Sequence, residues 1–258
     1  MKLALSIVLA LAACGGDGSG GNGNTDGGGD GNGTATGGDG SGAGGDGANL
    51  ECGTLRGVIR DFKIAHPDFE VVPNPDAVVP GLVNPTMPPG GKPTLATNAP
   101  AAGLITSPAT FAEWYTDVAG TNLRFQHDFV LTEGMPGQFS YDDGAYFPID
   151  NEGFGNEGNP HNFHFTTELH TTFLYAGGEV FTFRGDDDVW VFVNGKLAID
   201  IGGVHSRSSA TIDFNAQAAE LGISPGHEYA IDFFHAERHV TESNFRIETT
   251  ISCFGIIF

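Results

Sequence analysis

The stretch Val189-Trp-Val-Phe-Val193, Asn194-Gly195, Lys196-Leu-Ala-Ile-Asp-Ile201 constrains the fold more than any other part of this 258-residue chain. Asn-Gly between two apolar runs specifies a two-residue type I′ turn, because both turn positions need positive φ and these residues tolerate it. The runs must then pair as an antiparallel hairpin. An unbroken register sets Val193 opposite Lys196, Phe192 opposite Leu197, Trp190 opposite Ile199, Val189 opposite Asp200 and Asp187 opposite Gly202. Trp190, Phe192, Leu197 and Ile199 share one face in that register, and this face is assigned to the core. At the open end of the hairpin, Asp186, Asp187, Asp188, Asp200 and the loop Gly202-Gly203-Val204-His205 converge.

The surrounding sequence repeats the theme. Short apolar runs separated by Gly, Pro, Asn and Asp follow one another from Leu55 onward: 123–131, 163–175, 179–183, 188–193, 196–201, 228–235 and 244–252. This pattern predicts an all-β domain, an antiparallel β-sandwich or barrel, over residues 50–258. Two short helices are expected. Ser107 caps the first, which runs to Val118 with Pro108 in its opening turn and Phe111, Trp114, Tyr115 and Val118 on one face. The second spans Ala216 to Leu221. Residues 72–103, rich in proline, read as a wrapping loop.

The amino-terminal part has a different character. Met1-Lys2 and the apolar run from Leu3 to Ala13 are too short to span a bilayer and fit a signal peptide over residues 1–13. Leu11-Ala12-Ala13-Cys14 resembles a bacterial lipobox, so Cys14 is expected to carry lipid and anchor the exported protein in a membrane. Gly15 after the cysteine points to the outer membrane or cell surface. Residues 15–47 contain 18 Gly and 5 Asp and no aromatic or basic residue. Such a segment has nothing to bury, and residues 14–49 read as a disordered tether about 30 Å in mean reach.

With Cys14 assigned to lipid, Cys52 and Cys253 remain near the two ends of the domain. Export favours their pairing as a disulfide, with two free thiols as the alternative. A net charge of −21 argues against nucleic acid as a partner, since a phosphate backbone needs clustered Lys and Arg.

Converging carboxylates repel one another unless solvent or a hard cation relieves them, and calcium, with its oxygen ligands, suits Asp186 and Asp187 better than zinc does. The nine histidines suggest a rival transition-metal or carbohydrate-active enzyme. His161 and His164, three apart on a strand, point to opposite faces, unlike a His-x-His metal pair. His164, Glu168 and His170 can share a face, and Glu168 with Glu237 is a conceivable carboxylate pair. The set His235, Glu237, Arg238 and His239 reads as an internal salt-bridge network. No Gly-x-Ser-x-Gly elbow, His-Glu-x-x-His helix or phosphate-binding glycine loop is present, so the expectation is a noncatalytic domain.

The run from Gly185 to His205 resembles the signature of the bacterial fibro-slime domain. That domain is similar to the β-barrel module named for anthrax protective antigen and shared by yeast flocculins. Further matching blocks follow in order along the chain: Gly57–Phe62, His66–Phe69, Phe111–Tyr115, Tyr146–Asp150, His161–Glu168 and Phe234–Phe245. The resemblance implies an adhesion module that binds carbohydrate or extracellular matrix. In flocculin-like members two aspartates joined by a cis peptide, with an asparagine from a later loop, hold calcium. By position these are Asp186, Asp187 and Asn244. Asp188, Asp200, His205, Glu237 and His239 are the flanking candidates for ligand contact. Asp188 stands where the module has glycine, and the late loop is unusually rich in histidine. A structural module without ligand, in which the aspartates only accept backbone hydrogen bonds, is the remaining alternative.

Overall fold

The computed structural model describes residues 50–70, 77–99 and 104–256. The expected signal peptide, the lipid-bearing Cys14 and the tether lie outside the described residues.

Two antiparallel sheets pack face to face. The larger contains β1 (Leu50–Cys52), β2 (Thr54–Phe62), β3 (Asn122–Val130), β6 (Phe165–Tyr175), β8 (Asp188–Val193), β9 (Lys196–Ile201), β11 (His227–Glu237) and β13 (Cys253–Ile256). The smaller contains β4 (Thr132–Met135), β5 (Gln138–Asp143), β7 (Val180–Gly185), β10 (Ser208–Asp213) and β12 (Phe245–Thr249). The long central pair is β6 with β11, joined from His227↔Tyr175 to Glu237↔Phe165. On its other side β11 pairs with β8, from Ile231↔Val193 to Ala236↔Asp188.

Both faces of the larger sheet are covered, which explains the unbroken apolar sequence of β8, all six of whose residues are buried. The inner face meets the smaller sheet through Val189, Val191, Val193, Phe173, Phe233, Phe183 and Phe245. The outer face carries Trp190, Phe192, Phe234 and Ala236 and is roofed by Leu82, Val83, Ile105, Phe111, Trp114 and Tyr115. The described part of the proline-rich stretch, residues 77–99, therefore wraps, as expected, and it pairs along the way: Val79 N–H donates to the Gly202 carbonyl, Met87 N–H to that of Gly195, and Leu197 N–H to that of Pro85.

The β8–β9 hairpin turns at Asn194 and Gly195, both at positive φ (50° and 72°), as a type I′ turn requires. Val193↔Lys196 and Phe192↔Leu197 pair as the sequence predicts. Beyond them the register shifts by one residue, giving Val191↔Ile199, Trp190↔Asp200 and Val189↔Ile201. Ala198 is the extra residue of a β-bulge. The bulge sends Ile199 to the inner core and brings Asp200 to the outer face, where its carboxylate accepts from Trp190 Nε1 at 3.2 Å and Gly81 N–H at 2.7 Å. Ile199 therefore does not share the face of Trp190 and Phe192.

α1 covers only Pro108–Ala112, shorter than the predicted run to Val118. Ser107 caps it with a reciprocal bond to Thr110. The helix stops early because the Asn122 side chain takes over its end: Nδ2 donates to the Glu113 and Thr116 carbonyls at 2.9 and 2.8 Å, and Oδ1 accepts from Val118 N–H at 3.1 Å. α2 (Phe214–Leu221) is capped by Asp213 and ends on Gly222 in the left-handed region. Cys52 and Cys253 form a disulfide, lying opposite each other in the β1–β13 pair.

Candidate functional site

The corner between β7 and β8 consists of two residues, Asp186 and Asp187, and the peptide joining them is cis. Gly185 precedes them because the chain lies against the late loop there. A Cβ on Gly185 would stand 2.1 Å from the Asn244 carbonyl oxygen. The same contact fixes the first aspartate. Asp186 accepts from Asn244 N–H at 2.6 Å through one oxygen and from Asn244 Nδ2 at 2.8 Å through the other. Asp187 accepts from His205 N–H and from Arg238 N–H, both at 3.1 Å. Two loops that are distant in sequence, 202–207 and 238–244, are thus tied to one dipeptide.

Asp186 and Asp187 line a cavity of about 300 Å³ together with Val204, His205, His239 and Glu242. Of the flanking candidates, His205 and His239 reach this cavity. Asp188, Asp200 and Glu237 do not. Asp188 starts β8 with its side chain on the outer face, fully buried. There it accepts from Arg238 Nε at 2.6 Å and from Gly203 N–H at 2.5 Å. Asp200 is turned away by the bulge. Glu237 lies behind the aspartate pair, buried, with Oε1 at 3.4 Å from His239 N–H. The expected salt bridge within 235–239 does not form, because Glu237 and Arg238 leave β11 on opposite sides. Arg238 pairs instead with Asp188, donates to the Asp68 and Leu104 carbonyls at 2.8 and 2.7 Å, and stacks 4.9 Å from the Trp114 ring.

Negative charge is therefore concentrated on the inner side of this corner, away from the buried guanidinium. Burial raises the Asp186 carboxyl above its ordinary range, against the lowering effect of its bonds to Asn244. Asp187 is raised further, by burial and then by Asp188, with Arg238 opposing. Burial and the charges of Asp187 and Asp186 lift Glu237 as well. His235, whose Nε2 donates to the Asp186 carbonyl at 2.8 Å among aromatic rings, is pushed down to about 4 by burial and stays neutral. It cannot serve as the counter-ion.

The cavity presents the carboxylates of Asp186, Asp187 and Glu242 beside His205 and His239, while the Asn244 amide, bonded to Asp186, is not among its lining residues; the carboxylate oxygens are the hard ligands that calcium takes. The site fits calcium in chemistry. Among the described residues, no three His, Cys, Asp or Glu side chains are grouped to hold a metal. Two residues outside the expected set bear on this. Arg207 donates to Asn244 Oδ1, the amide oxygen that a cation would need. Glu242, on the cavity rim, has Oε2 3.4 Å from Asn244 Nδ2 and adds to the potential raising Asp186. Glu242 was legible as an acid two positions before Asn244, whereas nothing local to Arg207 announces its reach.

Three of the remaining histidines lie beside carboxylates away from this cavity. His161 Nδ1 lies 2.5 Å from Asp150, His164 Nε2 lies 2.8 Å from Glu70, and His170 contacts Glu168 and Asp232. Glu168 is opposite Phe234 in β11 and faces outward, while Glu237 is opposite Phe165 and continues the inward side. The sheet separates the two carboxylates, so they do not form a glycosidase pair.

Two antiparallel sheets packed as a sandwich, with an acidic cavity at a sheet corner closed by two long-range loops, define a β-sandwich module with a loop-borne site. Residues 119–253 match the model of the PA14 domain family, and the chain belongs to that family. Similar curated proteins come from Dictyostelium discoideum. Protein psiR is 39% identical over 202 residues, covering 72% of this chain and 20% of psiR. Protein psiD is 37% identical over 198 residues, covering 72% of this chain and 38% of psiD. The chain thus spans well under half the length of these relatives. Among solved structures, the PA14 sugar-binding domain from an RTX adhesin aligns at 14% identity with a TM-score of 0.27, over 44% of this chain and 70% of that one.

Proposed function

We propose that this is a noncatalytic adhesion module that binds carbohydrate or extracellular matrix at the Asp186–Asp187 cavity, using a calcium ion held by Asp186, Asp187 and Asn244. The observation that carries the reading is the imbalance of charge: Asp186, Asp187 and Glu237 are buried together, and the guanidinium of Arg238, buried beside them, is committed to Asp188. A bound cation would offset their mutual repulsion and leave coordination positions for sugar hydroxyls. His205 and His239 on the walls, and Glu242 on the rim, would orient those hydroxyls. The same reading includes the finer kinship to fibro-slime domains and places the module on the cell surface through a lipid on Cys14.

Arg207 holds the Asn244 amide oxygen and would compete with a cation for it. Calorimetric titration of calcium into the chelator-treated protein, with thermal unfolding in parallel, tests the reading. Saturating calcium is expected to add about 2.7 kcal/mol at a hundredfold excess over Kd. For a domain of this size that is roughly 5 to 10 °C in Tm. Asp187→Asn should abolish the shift and Arg207→Gln should tighten binding. No heat and no shift in the parent protein would leave the aspartates as backbone anchors only, which is the ligand-free alternative.

A further inference from the structure

Beyond β2 the larger sheet ends in a strand with one neighbour. β3 pairs with β2 from Thr54↔Val130 to Phe62↔Asn122, and among the described residues no strand pairs with its other edge. The phase of the ladder decides which backbone groups that edge presents. Leu131 N–H donates to the Gly53 carbonyl, and Phe62 N–H donates to the His164 carbonyl in continuation of the β2–β6 register. Hydrogen bonding alternates along a strand, so Leu123, Phe125, His127 and Phe129 bond to β2, whereas Arg124, Gln126, Asp128 and Val130 turn their N–H and C=O groups outward. All four of the latter are exposed.

The opposite end of the sheet is treated differently. β9 has six residues and is bonded by the wrapping segment, Leu197 N–H donating to the Pro85 carbonyl; β3 has nine and no such cover among the described residues. Charged side chains on an exposed edge ordinarily discourage pairing. In β3 the charges are symmetrical: Arg124 and Asp128 each stand two residues from Gln126, on one face, with opposite signs. An antiparallel pair of two β3 strands centred on Gln126 sets Arg124 of each copy opposite Asp128 of the other, and Gln126 opposite itself. These are the positions whose backbone groups already point outward, so each pair closes with two N–H···O bonds and the β2–β3 ladder stays as it is. On the inner side, the same register places the half-buried Phe125 of each copy opposite His127 of the other. Arg124 is not held away from this role. Asp117, 3.7 Å from it, is committed to Arg60 Nε at 2.8 Å, and the Gln126 amide, 3.1 Å away, lies on the same exposed face.

We infer that β3 is a self-association edge, through which two copies of this chain join their larger sheets by antiparallel β3–β3 pairing about a twofold axis at Gln126. The contact is isologous, so it closes at two copies and leaves no β3 edge free for a third. Between β3 and the start of β8 lie β2, β6 and β11, so the Asp186 corner stays clear of the contact. A dimer of this kind presents two such cavities and can engage a surface at two points. The inference holds whether or not calcium binds at that corner.

The test is sedimentation velocity of the full chain in chelator, at ~300 mM salt to screen the repulsion between two acidic chains. The interface is small, so the dimer should become the major species below ~500 μM rather than at nanomolar concentration. Arg124→Asp and Asp128→Arg each set like charges opposite one another at both ends of the pair, and each should weaken self-association by roughly tenfold or more. Mixed in equal amounts, the two variants regain an opposite charge at every position and should form a heterodimer as tight as the parent dimer. Their thermal midpoints should match the parent's, since both sites are exposed. Amide exchange read by NMR should slow with concentration at Arg124, Gln126 and Asp128 but not at Phe125 and His127, whose N–H groups already bond to β2. The proposal is overturned if the parent remains monomeric to ~500 μM, if either variant associates as well as the parent, or if the mixture of variants remains monomeric where the parent pairs.

Discussion

Arg238 offers the sharpest test of how the module is held together. Its side chain is fully buried, and its guanidinium has one carboxylate partner, Asp188, which is equally buried. Replacing Arg238 with Met keeps the aliphatic stem against Trp114 but leaves the Asp188 charge without a counter-ion and the Asp68 and Leu104 carbonyls without a donor. Breaking a buried pair in this way costs about 3–5 kcal/mol. In a domain of this size each kcal/mol moves Tm by about 2–4 °C, so a drop of roughly 6 to 20 °C is expected. Asp188→Asn alone strands the guanidinium and costs a similar amount, although the amide oxygen it introduces could still accept from Gly203 N–H. The double variant removes both charges and should recover a coupling energy of roughly 2 kcal/mol relative to the sum of the singles. Urea unfolding in chelator, followed by tryptophan fluorescence, measures all four proteins. A loss below about 1 kcal/mol in Arg238→Met, or strict additivity in the double variant, would refute the view that this pair holds the roof, Trp114 included, over Trp190.

Two further outcomes are expected. His235 titrates near 4 in the folded state against about 6.5 when unfolded, so the unfolded chain takes up its proton first as pH falls. Stability is then lost between pH 6.5 and 4, by about 3 kcal/mol from this group. His235→Gln should remove that part of the slope; equal slopes in parent and variant by urea unfolding across this window would contradict it. The raised carboxylates act in the opposite sense and are common to both proteins. At the amino terminus, fatty-acid labelling of the full chain should depend on Cys14, with Cys14→Ser giving an unlabelled protein released from membranes; labelling that survives the change would remove the anchor.

The sequence makes the β architecture legible for local reasons. Asn194-Gly195 sets its own turn, and apolar runs of the right length are strands whichever neighbours they find. The bounds of β8 and β9 and the capping of both helices follow from adjacent residues. The structure departs from expectation where a distant group intervenes. Asn122 shortens α1 by taking carbonyls that the helix would otherwise have used. The bulge at Ala198 is invisible to a register counted outward from the turn, because its rationale is to bring Asp200 to Trp190 and Gly81 while Ile199 and Ile201 stay in the inner core. Once that shift is missed, Asp200 is expected at the cavity with Asp186 and Asp187, whereas it lies on the outer side, where Asp188 also sits. The aspartate pair itself is legible only through resemblance to a family, since an Asp run alone is as compatible with a solvated turn.

Strand alternation explains why three consecutive aspartates do not share one role. Asp188 opens β8 on the outer side, the side of Trp190 and Phe192, and Arg238 follows Phe234 and Ala236 on that same side, so the two meet and neutralise each other. Glu237, one position earlier, lies on the other side with His235, towards Asp187 and Asp186. Among the described residues no buried basic side chain pairs with them there, and the histidine is held neutral. The Arg238 guanidinium therefore makes its ion pair with Asp188 and reaches Asp187 only through its field and its backbone N–H. Asp188, in place of the glycine that the family resemblance leads one to expect, takes the arginine. The result is a cluster of carboxyls at the cavity, Asp186, Asp187 and Glu237, each raised above its ordinary range chiefly by burial. Asp188 thus holds the buried guanidinium on the outer side, and the proposed calcium ion would have to displace Arg207 from the Asn244 amide oxygen.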